Sequence, residues 1–278
     1  MKLLKPLPPD RTLQQIENHY CVEKAIADRL RQATREERIE IYSTMYDDLF
    51  RQVPDHPRLT RRTDERTTRM ISGNKLSLVR DFLDPSGVFV EFAPGDCRFV
   101  MEVAAYVRRA YAVDISDQRE PGLDFPRNLK LIVYDGYNLE GIEESSVDTV
   151  FSDYFIEHLH PDDTRLHFAL VYRLLKPGGR YIFRTPNGLI GPHDVSEYFS
   201  TTPQGFHLKE WTYTEMRPLL RSLGFRRCQM VGRVSGRRFR LPYECARVCE
   251  LGLGVLPRSP QRTLGRYLVP SISVVATK

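Results

Sequence analysis

A chain of 278 residues, 41% hydrophobic and 28% charged, has the composition of a globular protein with one substantial core. No apolar run approaches the roughly 18–20 residues of a membrane-spanning helix, and the apolar part of Met1–Pro9 is too short for a secretory signal. The net charge of +5 is modest; five cysteines (Cys21, Cys97, Cys228, Cys245 and Cys249) without a C-x-x-C pair point to reduced thiols in a cytoplasmic chain, not to a disulfide or zinc framework.

Residues 11–50 carry helical periodicity through Ile16, Tyr20, Glu23, Ala27 and Leu30, then Ile39, Tyr42, Met45, Tyr46, Leu49 and Phe50. Pro54 and Pro57 break it, and a stretch rich in arginine and threonine leads to an apolar helix at Leu76–Leu83. Residues 1–75 are therefore expected to form a helical extension: a lid, a recognition cap, the arm of a homodimer or simply a packed ornament. The core is expected over 76–278.

Strands are predicted near 87–92, 110–114, 129–134, 147–152 and 180–184, each a short apolar run suited to a parallel sheet covered on both faces. The intervening helices show stripes at Phe99, Val100, Val103, Tyr106 and Val107, and at Leu166, Ala169, Leu170 and Leu174. Thr212 and Glu215 form the pattern of a capping box, and Gly224 stops the helix they open. Two last strands are expected at Phe225–Val234 and Ser271–Ala276. Residues 235–270 between them are too many for a hairpin loop and read as an insertion on the substrate side.

The most informative stretch is Val88-Phe-Val-Glu91-Phe-Ala93-Pro-Gly95-Asp-Cys97 followed by Tyr111-Ala-Val-Asp114. It reads as strand, tight turn, helix and a second strand ending in an acid. Asp114 lies 19 positions after Gly95, near the spacing that lets a carboxylate grip ribose hydroxyls. In a dinucleotide fingerprint counted from Ala93, the third glycine would be Arg98, too bulky for close helix–strand packing, which argues against NAD.

This segment resembles motif I of the class I S-adenosylmethionine (SAM)-dependent methyltransferases, with Ala93, Gly95 and Cys97 at the three usual glycine positions. The resemblance continues through Asp135-Gly136, through Ser146–Leu159, and through Arg173-Leu-Leu-Lys-Pro-Gly-Gly179, in the family's order over about residues 87–184. More loosely, the chain resembles a bacterial subgroup acting on glycans and natural products. The resemblance implies a Rossmann-like α/β fold with a seven-stranded sheet. It also implies SAM as cofactor, with contacts at Glu91, Ala93, Gly95, Asp114, Ile115, Asp135, Gly136 and Asp153.

Methyl transfer to an unactivated hydroxyl needs a base near the methyl group. Such groups should stand at the carboxyl ends of the strands. His158 follows the fourth strand, as a base or a pocket wall. Asp162 and Asp163 are expected to cap and charge the next helix. The loop after the fifth strand carries His193-Asp194 and His207. His193 is the first choice of base, oriented by Asp194, the alternative being that the pair only fixes the loop; His207 is the reserve. No tight ligand spacing marks His193, Asp194 and His207, so metal-free catalysis is expected.

The acceptor is expected to be a small molecule or glycan hydroxyl. The arginine clusters at Arg58–Arg69 and Arg233–Arg240 do not interleave base-stacking aromatics, which argues against nucleic acid. Ser152-Asp-Tyr-Phe155 has the aromatics of a nucleic-acid N-methyltransferase motif and lacks its prolines. Ala93 and Cys97 in the turn motivate a third alternative, a SAM-binding scaffold without catalysis.

Overall fold

The computed structural model describes residues 1–61, 65–119, 122–234 and 237–278. Its centre is β1 (Val88–Phe92), β-branched and aromatic except for Glu91 and buried at every position. Parallel strands flank it: β2 (Arg109–Asp114) and β3 (Leu129–Val133) on one side, β4 (Val147–Asp153) and β5 (Leu175–Pro186) on the other. The last strand, β8 (Ser271–Thr277), runs antiparallel between β5 and β6 (Arg227–Val234).

The sheet has eight strands, in the order β3-β2-β1-β4-β5-β8-β6-β7, one more than expected. The extra strand is β7 (Arg237–Pro242), an edge strand antiparallel to β6. Its sequence, Arg-Arg-Phe-Arg-Leu-Pro, is charged on the pattern of an exposed edge and so does not read as a strand. The insertion continues as α8 (Tyr243–Gly254) and α9 (Arg258–Leu268).

Helices cover both faces, as a parallel sheet requires. On one face α4 (Glu65–Val79) and α5 (Arg98–Ala104) place Val79, Phe99, Val100 and Val103 against Phe89 and Phe151. On the other, α6 (Pro161–Leu174), α7 (Tyr213–Ser222) and α8 enclose Val90, Phe92, Phe168, Val171 and Met216. Helix α5 is shorter than its predicted stripe, and Tyr106 lies beyond it, 40% exposed. Leu166 faces solvent, because α6 turns Asp163, Thr164, His167 and Phe168 inward. The capping box of Thr212 and Glu215 forms, and α7 contains Pro218.

The N-terminal helices α1 (Leu13–Gln32), α2 (Arg35–Gln52) and α3 (Pro57–Arg61) build a core of their own, with Ala27, Leu30, Tyr42, Met45 and Leu49 packed on Phe206 and Leu208. In α2 the buried face is rotated from the one expected, burying Arg38 and Ile41. Helix α4 runs across residue 75 into the core. Of the arginine clusters, residues 62–64 and 235–236 lie outside the described residues; Arg238 and Arg240 clasp Asp81. All five cysteines are unpaired. Among the described residues no helix is long and apolar enough to cross a membrane.

Candidate active site

The turn after β1 adopts left-handed backbone at alternate residues: Ala93 (φ 53°), Gly95 (φ 61°) and Cys97 (φ 62°). These are the three positions aligned with the family's glycines. The conformation is one that glycine takes freely and other residues take at a cost of about 1–2 kcal/mol each. It aims the Gly95 N–H at the Asp114 carboxylate, which also accepts from Ile115 N–H (3.3 and 2.8 Å). Burial pushes the Asp114 carboxyl up, opposed by the Ile115 amide and Arg58.

Asp114 opens onto a cleft of about 620 Å³ measured out to its mouth. The sheet side contributes Ala93, Ile115, Tyr134 and Gly136; Phe155 and His158 follow β4. The roof is Tyr42, Met45, Tyr46 and Arg58 from the N-terminal helices. The guanidinium of Arg58 lies over the Tyr46 ring, and its Nη2 would be 3.2 Å from a Cβ at Gly95.

Three predicted carboxylates do not line the cleft. Glu91 is buried against Lys75 (3.2 Å), with its Oε2 unpaired. Asp135 accepts from the amides of Tyr137 and Asn138, fixing its own turn. Asp153 is held by two hydrogen bonds from Arg184 (2.7 and 2.8 Å). Asp163 is no helix cap; that role falls to His160. Its carboxylate instead takes paired hydrogen bonds from Arg38 (2.8 and 2.7 Å) and one from Tyr137, tying α2 to the cleft.

His193 is oriented by Glu210, not by Asp194. Glu210 Oε2 meets His193 Nδ1 at 2.9 Å, and Oε1 meets His207 Nδ1 at 2.7 Å. Asp194 accepts from the Ser196 and Gly205 amides, closing the loop on itself. His193 does not line the cleft and is partly exposed. Burial works against the Glu210 charge, yet the two histidines outweigh it and hold the carboxyl down at about 2. Burial also disfavours charge on His207, but Glu210 and then Glu157 raise it to about 9.

His158 alone of the predicted histidines reaches the cleft. Its Nδ1 donates to the Phe206 carbonyl (3.0 Å), leaving Nε2 with the lone pair. Burial keeps it neutral, at about 3. Its ring stands edge-on to His207, with centroids 5.1 Å apart. Sequence reasoning passed over Glu157, which a 3₁₀ turn after β4 swings fully inside. Thr185 donates to its Oε2 (2.8 Å), and its Oε1 has no partner. The alternation that placed Asp153 at the strand end gives no sign of this turn.

Residues 90–183 match the family model described as a methyltransferase domain. A comparison of the chain with curated proteins found no match. Among solved structures, it is similar to Burkholderia thailandensis 1,6-didemethyltoxoflavin-N1-methyltransferase, at 16% identity over 88% of this chain and 91% of that one (TM-score 0.53). Haemonchus contortus phosphoethanolamine N-methyltransferase 1 matches at 14% identity over 88% of this chain and 50% of that one (TM-score 0.53). A SAM-dependent methyltransferase from Archaeoglobus fulgidus matches at 17% identity over 76% and 94% (TM-score 0.50). Likeness at such identities establishes the fold. Within that fold, residues 90–183 carry the match to the methyltransferase domain.

Proposed function

We propose that the protein binds SAM in the cleft and transfers its methyl group to a hydroxyl of a small molecule, sugar or glycan. The observation that carries the cofactor reading is Asp114: a carboxylate held by Gly95 and Ile115 amides at the cleft wall, beside a turn that brings backbone close. Asp114 would take the ribose hydroxyls, and Tyr134 and Gly136 the adenine side. Five unpaired cysteines support a reducing compartment such as the cytoplasm.

When bound, the cofactor supplies a methyl group on a sulfonium; the C–O bond forms as the C–S bond breaks, and its electron pair stays on sulfur. The chain's part is alignment, exclusion of water and removal of the acceptor's proton. We assign that proton to His193, whose Nδ1–H is committed to Glu210 so that Nε2 can accept once the loop after β5 carries the ring to the cleft, which it does not line in this structure. A hydroxyl needs such a base and most amines do not, which favours oxygen as acceptor atom. The roof of Tyr42, Met45 and Tyr46 supports the lid reading of the N-terminal helices.

Calorimetry with SAM and NADH tests the cofactor. SAM should bind and NADH should not, and Asp114→Ala should lose about tenfold or more in affinity. NADH binding, or SAM binding indifferent to Asp114, would overturn the reading. A screen of sugars, phenols and amines then tests the acceptor atom, and methylation of amines alone would move it to nitrogen.

A further inference from the structure

In two clusters among the described residues, a carboxylate and two imidazoles each offer one ligand atom within 4.8 Å of the others: His19–Glu23–His56 and Glu157–His158–His207. The first is closed by its own hydrogen bonds, since His19 Nε2 bonds Glu23 at 2.8 Å and Arg11 faces His19 Nδ1. The second has no hydrogen bond among its members. Each instead spends one atom on an outside partner and keeps the other.

His158 Nδ1 is taken by the Phe206 carbonyl, His207 Nδ1 by Glu210, and Glu157 Oε2 by Thr185. The atoms left are His158 Nε2, Glu157 Oε1 and His207 Nε2, whose proton an ion would displace, and one ligand atom of each residue lies within 4.8 Å of those of the other two. Outer partners that fix each ring and carboxylate by its far atom are the support that metal-ligating histidines and carboxylates have. Around an ion with bonds of about 2.1 Å, neighbouring ligand atoms stand about 3–3.5 Å apart, so a small contraction suffices. Glu157 is fully buried with Oε1 unpaired, a loss of about 1–3 kcal/mol that a cation would remove.

We propose that Glu157, His158 and His207 bind a divalent transition metal ion, with its open positions facing the cleft that His158 lines. Two imidazoles and a carboxylate suit Zn²⁺, Fe²⁺, Co²⁺ or Mn²⁺. Resting on the methyltransferase reading, the ion would hold an acceptor oxygen at the cleft. Bound to the ion, an acceptor oxygen loses its proton more readily. This replaces the metal-free transfer expected from sequence.

The test uses the full chain, stripped with chelator and titrated with Co²⁺ by calorimetry and visible absorption, with SAM affinity measured alongside. One equivalent should bind. Glu157→Gln and His207→Asn should each weaken it by about 100-fold, and Thr185→Val, which frees Glu157 to turn, by about tenfold. SAM affinity should stay within about threefold in all three, since none lines the cleft. Zn²⁺ should also protect His158 and His207 of the unsubstituted protein from diethylpyrocarbonate, a readout that needs no variant. No Co²⁺ binding, or binding and protection indifferent to these residues, would overturn the site. Variant-sensitive Co²⁺ binding without SAM binding would keep the site and remove the methyltransferase reading instead.

Discussion

At the scale of single residues, the turn at 93–97 is defined by backbone conformation more than by composition. Ala93 and Cys97 hold left-handed φ angles that glycine would adopt without strain. Gly95 has the additional constraint of Arg58, whose Nη2 stands where a side chain would begin to crowd. Gly95→Ala should therefore destabilise the fold by about 1–2 kcal/mol and weaken SAM binding about tenfold, read by thermal unfolding and calorimetry. Unchanged affinity would mean that the turn does not approach the ligand. Histidines divide by the same local logic. His167 is buried against Tyr181 and Phe92, and burial holds it neutral, at about 3, in a structural role.

At the scale of elements, α2 is joined to the start of α6 by the buried Arg38–Asp163 pair, which Tyr137 completes. Breaking one partner of a buried, hydrogen-bonded pair costs about 3–5 kcal/mol. Arg38→Ala should lower the melting temperature accordingly and weaken SAM binding, because Tyr42, Tyr137 and Asp163 all line the cleft. A variant as stable as the parent would show that the pair contributes nothing net. The parallel strands and the turn were legible in sequence, since apolar runs and small residues dictate them locally. The partners of the loop residues were not. Asp194 is adjacent to His193 in the chain, but its carboxylate turns away to cap Ser196, and Glu210 arrives from 17 positions on. Asp163 looked like a helix cap because nothing in its own segment reveals Arg38, 125 positions away. Strand β7 escaped because charge on an edge strand resembles charge in a loop.

At the scale of the whole molecule, the N-terminal helices have a core of their own and meet the loop after β5 through Phe206, Leu208 and polar ties. Tyr20 donates to Gln204, and Glu23 accepts from Phe206 N–H and His19. Burial opposes the Glu23 charge, yet His19 and His56 outweigh it and hold the carboxyl well below the usual range. The stability so gained is complete above the unfolded value near 4.5 and is lost as pH falls below it. Glu23→Gln should be about 3 kcal/mol less stable than the parent at pH 7, and the gap should narrow progressively below pH 4.5. A gap constant with pH in denaturant titrations would assign the loss to packing alone.

Glu210 carries one negative charge and touches two imidazoles, the more buried His207 and the more exposed His193. Its two oxygens are divided between the rings, one each, so a single side chain ties together two points of the loop that lie 14 positions apart in the chain. Cutting that one side chain back would release both rings at once, and the segment between them would lose the clasp that sets its shape.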